Sequence, residues 1–335
     1  MKLNSFSFIL SIVLFGATST SVLNGKEKKE KKKKDETYVL KYDPLISIRP
    51  FSEQNFDYLV IQSDDQQYIP LYYRAVSNFN FGGQFTFKWM SFTYARNTPL
   101  FLPELPEKFQ PEYNNYGFAI NGRVFGMSIS YTTYEGFYTE NTNYIPNGLN
   151  VEDRFRSDIS SQNLAVDFRF TFSDKVSAKA IFDQSERQLK SAGAFTMQIC
   201  ERYHNFAGGE TLVPWYHIND FEESEDIERL WVNNIQFMPG YGYVAVAGNW
   251  NFGLFMYVGS GIQFQKYYTD FTDDFSLKIP ALGQVRGGIT YNSKYFYARV
   301  TGNGNYTSLG MSDANLRWFT SSWELSMGLR LYAAE

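Results

Sequence analysis

Near the C-terminus Trp323, Leu325, Met327, Leu329 and Leu331 alternate with Glu324, Ser326, Gly328 and Arg330. Drawn out as a strand, that stretch has one apolar and one polar face. A soluble sheet would turn the apolar face inward, yet the same alternation recurs along the chain with charges and glycines on the second face. Such a face cannot fill a dry core. For a chain that also opens with an export signal, the economical solution is a closed barrel, greasy outside and polar or wet inside.

The opening residues supply that signal. Lys2 precedes the apolar run Phe6 to Phe15, and the small polar stretch Gly16 to Ser21 follows it. Residues 1–21 read as a secretory signal peptide, too short to anchor in a membrane. No later run is apolar enough for a spanning helix, and mean hydropathy is −0.35. If the chain crosses a membrane, strands must do it.

Residues 22–37 read as a Lys-rich disordered tail. Lys26–Lys34 carries a local charge of +5, and the alternative to a purely solvated tail is contact with anionic lipid, cell-wall polymer or a periplasmic surface. From Asp35 onward 23 Lys+Arg face 33 Asp+Glu, an acidic body not built for nucleic acid. Cys200 is the only cysteine, so strand pairing rather than a disulfide must close the fold. Aromatic residues reach 19%, more than a soluble core needs and in keeping with rings gathered at two membrane interfaces.

Residues 38–335 read as one all-β domain, a closed antiparallel transmembrane β-barrel of about 12 strands, range about 10–14. Two short strands are expected at Tyr38–Pro50 and Asp57–Gln62, and another at Ser77–Phe87. A switch of apolar parity at Lys88-Trp89 marks a tight turn. Further turns fall at Asn121-Gly122, Ser173-Asp174-Lys175, Asn251 and Asn292-Ser293-Lys294. Alternating stretches such as Phe125–Tyr131, Leu164–Phe172, Val176–Phe182, Phe195–Ile199, Leu254–Phe264, Val285–Tyr291 and Phe296–Val300 supply strands. Polar segments near 97–115, 135–162, 203–230, 266–277 and 302–315 read as long loops. The alternation of loop sides fails around 184–190, so one connection is free to fold into the lumen.

Candidate chemistry is sparse. His204 and His217 both fall in one expected loop, and no G-x-S-x-G elbow accompanies them. Exposed histidines without a catalytic role are the plain reading, and Cys200 is read as an inert thiol. Asp220 to Glu228 packs six carboxylates into nine residues without a calcium loop's spacing; it and Asp270, Asp273 and Asp274 read as solvated acidic loops. No metal site or cofactor is assigned. More informative is Asp183 to Gly193, which carries both charge signs directly after an alternating stretch. Gln184, Ser185, Glu186, Arg187 and Lys190 are expected to enter an internal polar network or constriction with Asp167, Arg169, Lys179, Arg286, Arg299, Glu324 and Arg330. Charges in such a network must be mutually paired.

Phe182-Asp183-Gln184-Ser185-Glu186-Arg187-Gln188-Leu189-Lys190-Ser191-Ala192-Gly193, the Gly82–Phe92 hairpin, Phe125-Gly126 and Met238–Tyr243 resemble an uncharacterised family of Bacteroidetes envelope proteins, domain of unknown function 4421. The resemblance implies an outer-membrane barrel of a Gram-negative bacterium and carries no activity with it. The functional expectation is a non-enzymatic outer-membrane barrel in contact with lipid, a narrow porin-like channel or an internally filled structural or surface-interaction protein. Two alternatives stand beside it. A lipid-processing or proteolytic barrel enzyme would need a histidine near a serine or carboxylate, and a soluble secreted β-sandwich would bury Leu325, Met327 and Leu329 under a second sheet.

Overall fold

The computed structural model describes residues 38–42, 44, 46–63, 70–76, 79–98, 109, 111–139, 154–214, 226–268, 273–310 and 314–332. The expected signal peptide and Lys-rich tail, His217, Asp220 to Glu225 and Asp270 lie outside these residues.

Strands are β1 (Val39–Lys41), β2 (Ile46–Ser63), β3 (Leu71–Ala75), β4 (Phe79–Phe87), β5 (Met90–Asn97), β6 (Glu112–Asn121), β7 (Phe125–Thr139) and β8 (Phe155–Thr171). After a helical turn α1 (Lys179–Phe182) come β9 (Glu186–Gln188), β10 (Ala192–Ala207), β11 (Arg229–Ala247), β12 (Trp250–Tyr268), β13 (Asp273–Lys278), β14 (Ala281–Asn292), β15 (Phe296–Gly310) and β16 (Ala314–Leu331). Twelve of them form a ring in the order β2, β4, β5, β6, β7, β8, β10, β11, β12, β14, β15, β16. It is closed by β16 against β2, from Ala314 opposite Ser63 to Leu331 opposite Ile46. Closure gives each of the twelve ring strands a neighbour on both sides, and β13 adds a short strand beside the end of β12.

The pleat sorts the side chains. Along β2 Ser47, Arg49, Phe51, Glu53, Asp57, Leu59 and Ile61 are buried inside, whereas Ile48 stands 50% exposed outside. Leu325, Met327 and Leu329 are 47%, 56% and 56% exposed, so no second layer covers them and the soluble sandwich is excluded. Phe195, Phe237, Met256 and Val258 continue the same apolar exterior. Trp89, Trp250 and Tyr295 stand exposed beside its tight turns, and Tyr241 and Tyr243 stand exposed further along β11.

Tight turns gather at one end. Lys88 and Gly248 take positive φ, 54° and 61°, in two-residue hairpins. The expected turn at Asn251 therefore falls at Gly248-Asn249, and Asn251 is buried inside. Long connections occupy the opposite end. There β3 takes over the line of β4, pairs with β2 at Tyr58–Ile61 and with β7 at Phe137–Thr139, and bypasses β5 and β6. The barrel narrows as a result. Gly136, at φ 88° with Phe109 packed where a Cβ would stand, forms the β7 bulge that permits this crossing.

Four sequence expectations are corrected. The two short strands at 38–62 are the single strand β2 plus the detached β1. Residues 302–310 belong to β15, because Asn303 and Asn305 face inward and donate to Ser322 and Thr320. Val176–Phe182 is not a barrel strand, and Ser173-Asp174-Lys175 is not a hairpin turn; both belong to a segment inside the barrel.

Candidate functional site

After β8 ends at Thr171, the chain turns into the lumen and returns to the wall only at Ala192. A short apolar set leads it in. Val176, Ala178 and Ile181 are fully buried against Met238, Val244 and Phe255 of the wall. Ile181 sits where Gly253 and Gly288 lack side chains; a Cβ built there would lie 2.4 Å and 2.9 Å from its atoms. The two glycines form the socket.

Local chemistry shapes the rest of the segment. Ser177 Oγ accepts the N–H of Ala180 at 3.1 Å and starts α1. Gln184, at φ 65°, ends it, its side-chain amide donating to the Ala180 and Ile181 carbonyls at 3.0 and 2.8 Å. β9 then pairs antiparallel with β1, Leu40 opposite Arg187. The first described residues of the chain are thus stitched to the plug.

Ion pairs and amides fix the plug to the wall. Glu186 pairs with Arg123 at 3.1 Å, both side chains nearly inaccessible, and accepts the Ser177 hydroxyl at 2.6 Å. Lys179 pairs with Asp183 at 3.7 Å and donates to the Asn121 carbonyl at 3.1 Å. Arg330 donates to the Gln184 carbonyl and to Asn292 and stacks between Tyr42 and Tyr297. Arg299 donates to the Phe182 carbonyl and pairs with Glu324 at 2.8 Å, which Arg49 also meets at 2.7 Å. Asn251 and Gln188 exchange two hydrogen bonds. Arg286 lies 4.5 Å over the Phe182 ring.

Above the plug lies a cavity of about 370 Å³ lined by Asn, Ser, Thr and Tyr side chains together with Glu53, Asp57, Asp167, Arg202, Arg286, Arg299 and Glu324. Toward its outer side an apolar cluster of Leu59, Ile61, Tyr73, Phe137, Phe206, Leu212, Val213, Leu230 and Trp318 packs inside the barrel. Leu212 and Val213 come from the connection between β10 and β11. The lumen thus holds a polar chamber between the plug and this apolar cluster.

The expected network residues divide into three groups. Gln184, Ser185, Glu186 and Lys179 belong to the plug; Ser185 donates to Asp183 at 2.6 Å. Asp167, Arg169, Arg286, Arg299, Glu324 and Arg330 point inward from the wall, with Asp167 paired to Arg202 and Arg169 passing over Gly126. Arg187 and Lys190 do not enter the network: Arg187 donates to the Gly248 carbonyl at the rim, and Lys190 lies against the Tyr38 ring. Unforeseen members are Arg49, Arg123, Ser177, Asp183, Arg202 and Asn251. Strand parity could have found Arg49 and Arg202, which share a face with other inward residues.

His204 is corrected from exposed loop residue to wall residue. It sits in β10, its ring 4.6 Å from that of Trp318 and its Nδ1 2.7 Å from Asn163 Oδ1. Cys200 faces inward and is 1% exposed. Among the described residues no three His, Cys, Asp or Glu side chains converge as metal ligands.

An even-stranded, closed antiparallel barrel with an apolar exterior and a polar interior is a membrane barrel of the outer-membrane kind. The chain belongs to the family described as domain of unknown function 4421, whose model matches residues 33–330. No curated protein matches the sequence. Among solved structures it is similar to the outer-membrane protease OmpT of Escherichia coli, 9% identical over 87% of this chain and 99% of that one, TM-score 0.39. It is similar also to the toluene transporter TodX of Pseudomonas putida, 6% identical over 86% and 91%, TM-score 0.30. A third is the Neisserial surface protein A, 10% identical over 86% and 97%, TM-score 0.23. At these identities and scores the likenesses say nothing of substrate or activity.

Proposed function

We propose that the protein is a non-enzymatic outer-membrane barrel that rests closed and admits small hydrophilic solutes when residues 173–191 withdraw. Residues 1–21 export it, 22–37 form a tail, and 38–335 form the barrel, with turns toward the periplasm and apolar exterior in lipid. The observation that carries this reading is a separate chain segment, hung on ion pairs and hydrogen bonds, lying in the lumen beside a polar chamber. A barrel filled only for rigidity would pack its lumen, and a segment fused into the wall would need no pairs that water can replace.

His204 supports the non-enzymatic part, since its ring nitrogen meets an amide rather than a nucleophile or carboxylate. The apolar cluster at the outer end favours a second reading, a permanently sealed structural barrel. Planar-bilayer recording separates the two. Occasional openings in the wild type that become frequent when plug contacts are removed support gating, and silence in both overturns it.

A further inference from the structure

We infer that the chamber binds a small zwitterion carrying an ammonium and a carboxylate; this rests on the reading of residues 173–191 as the gate to it. Glu53 and Asp57 lie two pleat repeats apart on β2, with Asn55 between them, both inward and 8% and 1% exposed. Glu53 accepts the Tyr113 hydroxyl at 2.6 Å, and Asp57 Oδ2 meets the Asn163 amide at 3.4 Å. Asp57 lines the chamber, and its Oδ1, buried beside the Trp318 indole, has no hydrogen bond of good geometry. Neither carboxylate has a Lys or Arg within ion-pair distance among the described residues, whereas Asp167 and Glu324 both do.

Positive charge is left over elsewhere on the same wall. Arg286 lines the chamber from β14 and Arg169 an adjoining recess of about 110 Å³, and neither has a carboxylate within ion-pair distance among the described residues. Acidic and basic groups buried without an opposite partner in ion-pair distance are costly to ionise, and a ligand that carries both signs supplies that partner at both ends at once. The rings of Tyr113 and Tyr134, tilted at 48° with centroids 5.0 Å apart, sit beside the acidic end and suit an ammonium. A metal ion fits poorly, because two carboxylates are joined by no third ligand of that kind among the described residues. The chamber's volume, at the lower end of small-ligand pockets of about 300–1,000 Å³, suits a compact solute.

The test is equilibrium dialysis of the full chain in detergent with radiolabelled L-alanine, ethylammonium and propionate, each added either after folding or during refolding from urea. Saturable uptake of L-alanine is expected. Asp57→Asn should weaken L-alanine and ethylammonium at least about tenfold and leave propionate unchanged, and Arg286→Gln should weaken L-alanine and propionate but not ethylammonium. Heat-modifiable migration confirms folding, and Glu53→Gln serves if Asp57→Asn does not fold. Uptake only when L-alanine is present during refolding supports the site and overturns the gate. No saturable uptake under either protocol, or binding unchanged in both Asp57→Asn and Glu53→Gln, overturns the site.

Discussion

Glu186→Ala perturbs the plug at its most enclosed ion pair. The side chains of Arg123 and Glu186 are 5% and 3% exposed, so solvent screens the pair little, and Ser177 loses its acceptor as well. Leaving one member of a buried pair uncompensated costs about 3–5 kcal/mol. That cost falls on the closed state alone, because withdrawal of the plug lets water reach Arg123. A change of this size shifts the closed-to-open ratio by roughly 150- to 4,000-fold. Single-channel recording in a planar bilayer reads the shift as open probability. Arg123→Met with Glu186→Leu removes both charges and replaces them with apolar bulk, a change that is often neutral for stability, so the double variant should return toward the closed state. Arg187→Ala, which touches only the rim, should behave as wild type. Silence of Glu186→Ala in a normally folded protein, or a double variant that opens as readily as the single one, would show that this ion pair does not hold the plug closed.

Gly253→Ala sets a methyl group 2.4 Å from Ile181 and should raise open probability at an overpacking cost of about 1–3 kcal/mol, with Ile181→Val restoring part of the closure. Ile181→Ala empties the same socket and should lower the plug's stability by about 2–5 kcal/mol, seen as faster proteolysis within residues 173–191 in the folded barrel. Leu325→Arg should cost about 2–4 kcal/mol in urea titrations from lipid vesicles, whereas Leu325→Phe should cost little. Cys200, buried on the lumen side, should resist maleimide in the folded protein and react fully after unfolding.

The period-2 alternation, read alone, reaches the closed barrel and its strand number because every wall strand must sort its side chains in or out. It misleads where other forces mimic it. Val176, Ala178 and Phe182 alternate over too few residues to distinguish a strand from a turn of helix, and what decides is the glycine socket at 253 and 288, far away in sequence. Pro50 reads as the end of a strand, yet β2 runs through it: its pairing with β16 lapses opposite Met327 and Gly328 and resumes beyond. Splitting β2 there hid the shared inward face of Arg49, Glu53 and Asp57. Gly302, Asn303, Gly304 and Asn305 read as loop, although a wet lumen gives asparagines partners within a strand. His204 passed for a loop residue because its polar neighbours Asn205 and Arg202 do not betray Trp318 across the barrel.

The most direct test of the account is a label scan along β16 in a Cys200→Ser background reconstituted in vesicles. Fluorophores attached at residues 325, 327 and 329 should be quenched by nitroxide lipids in the bilayer, and those at 322 and 324 should not. Equal quenching at both sets of positions, or none at the first, would contradict a closed barrel with lipid outside and a polar chamber within.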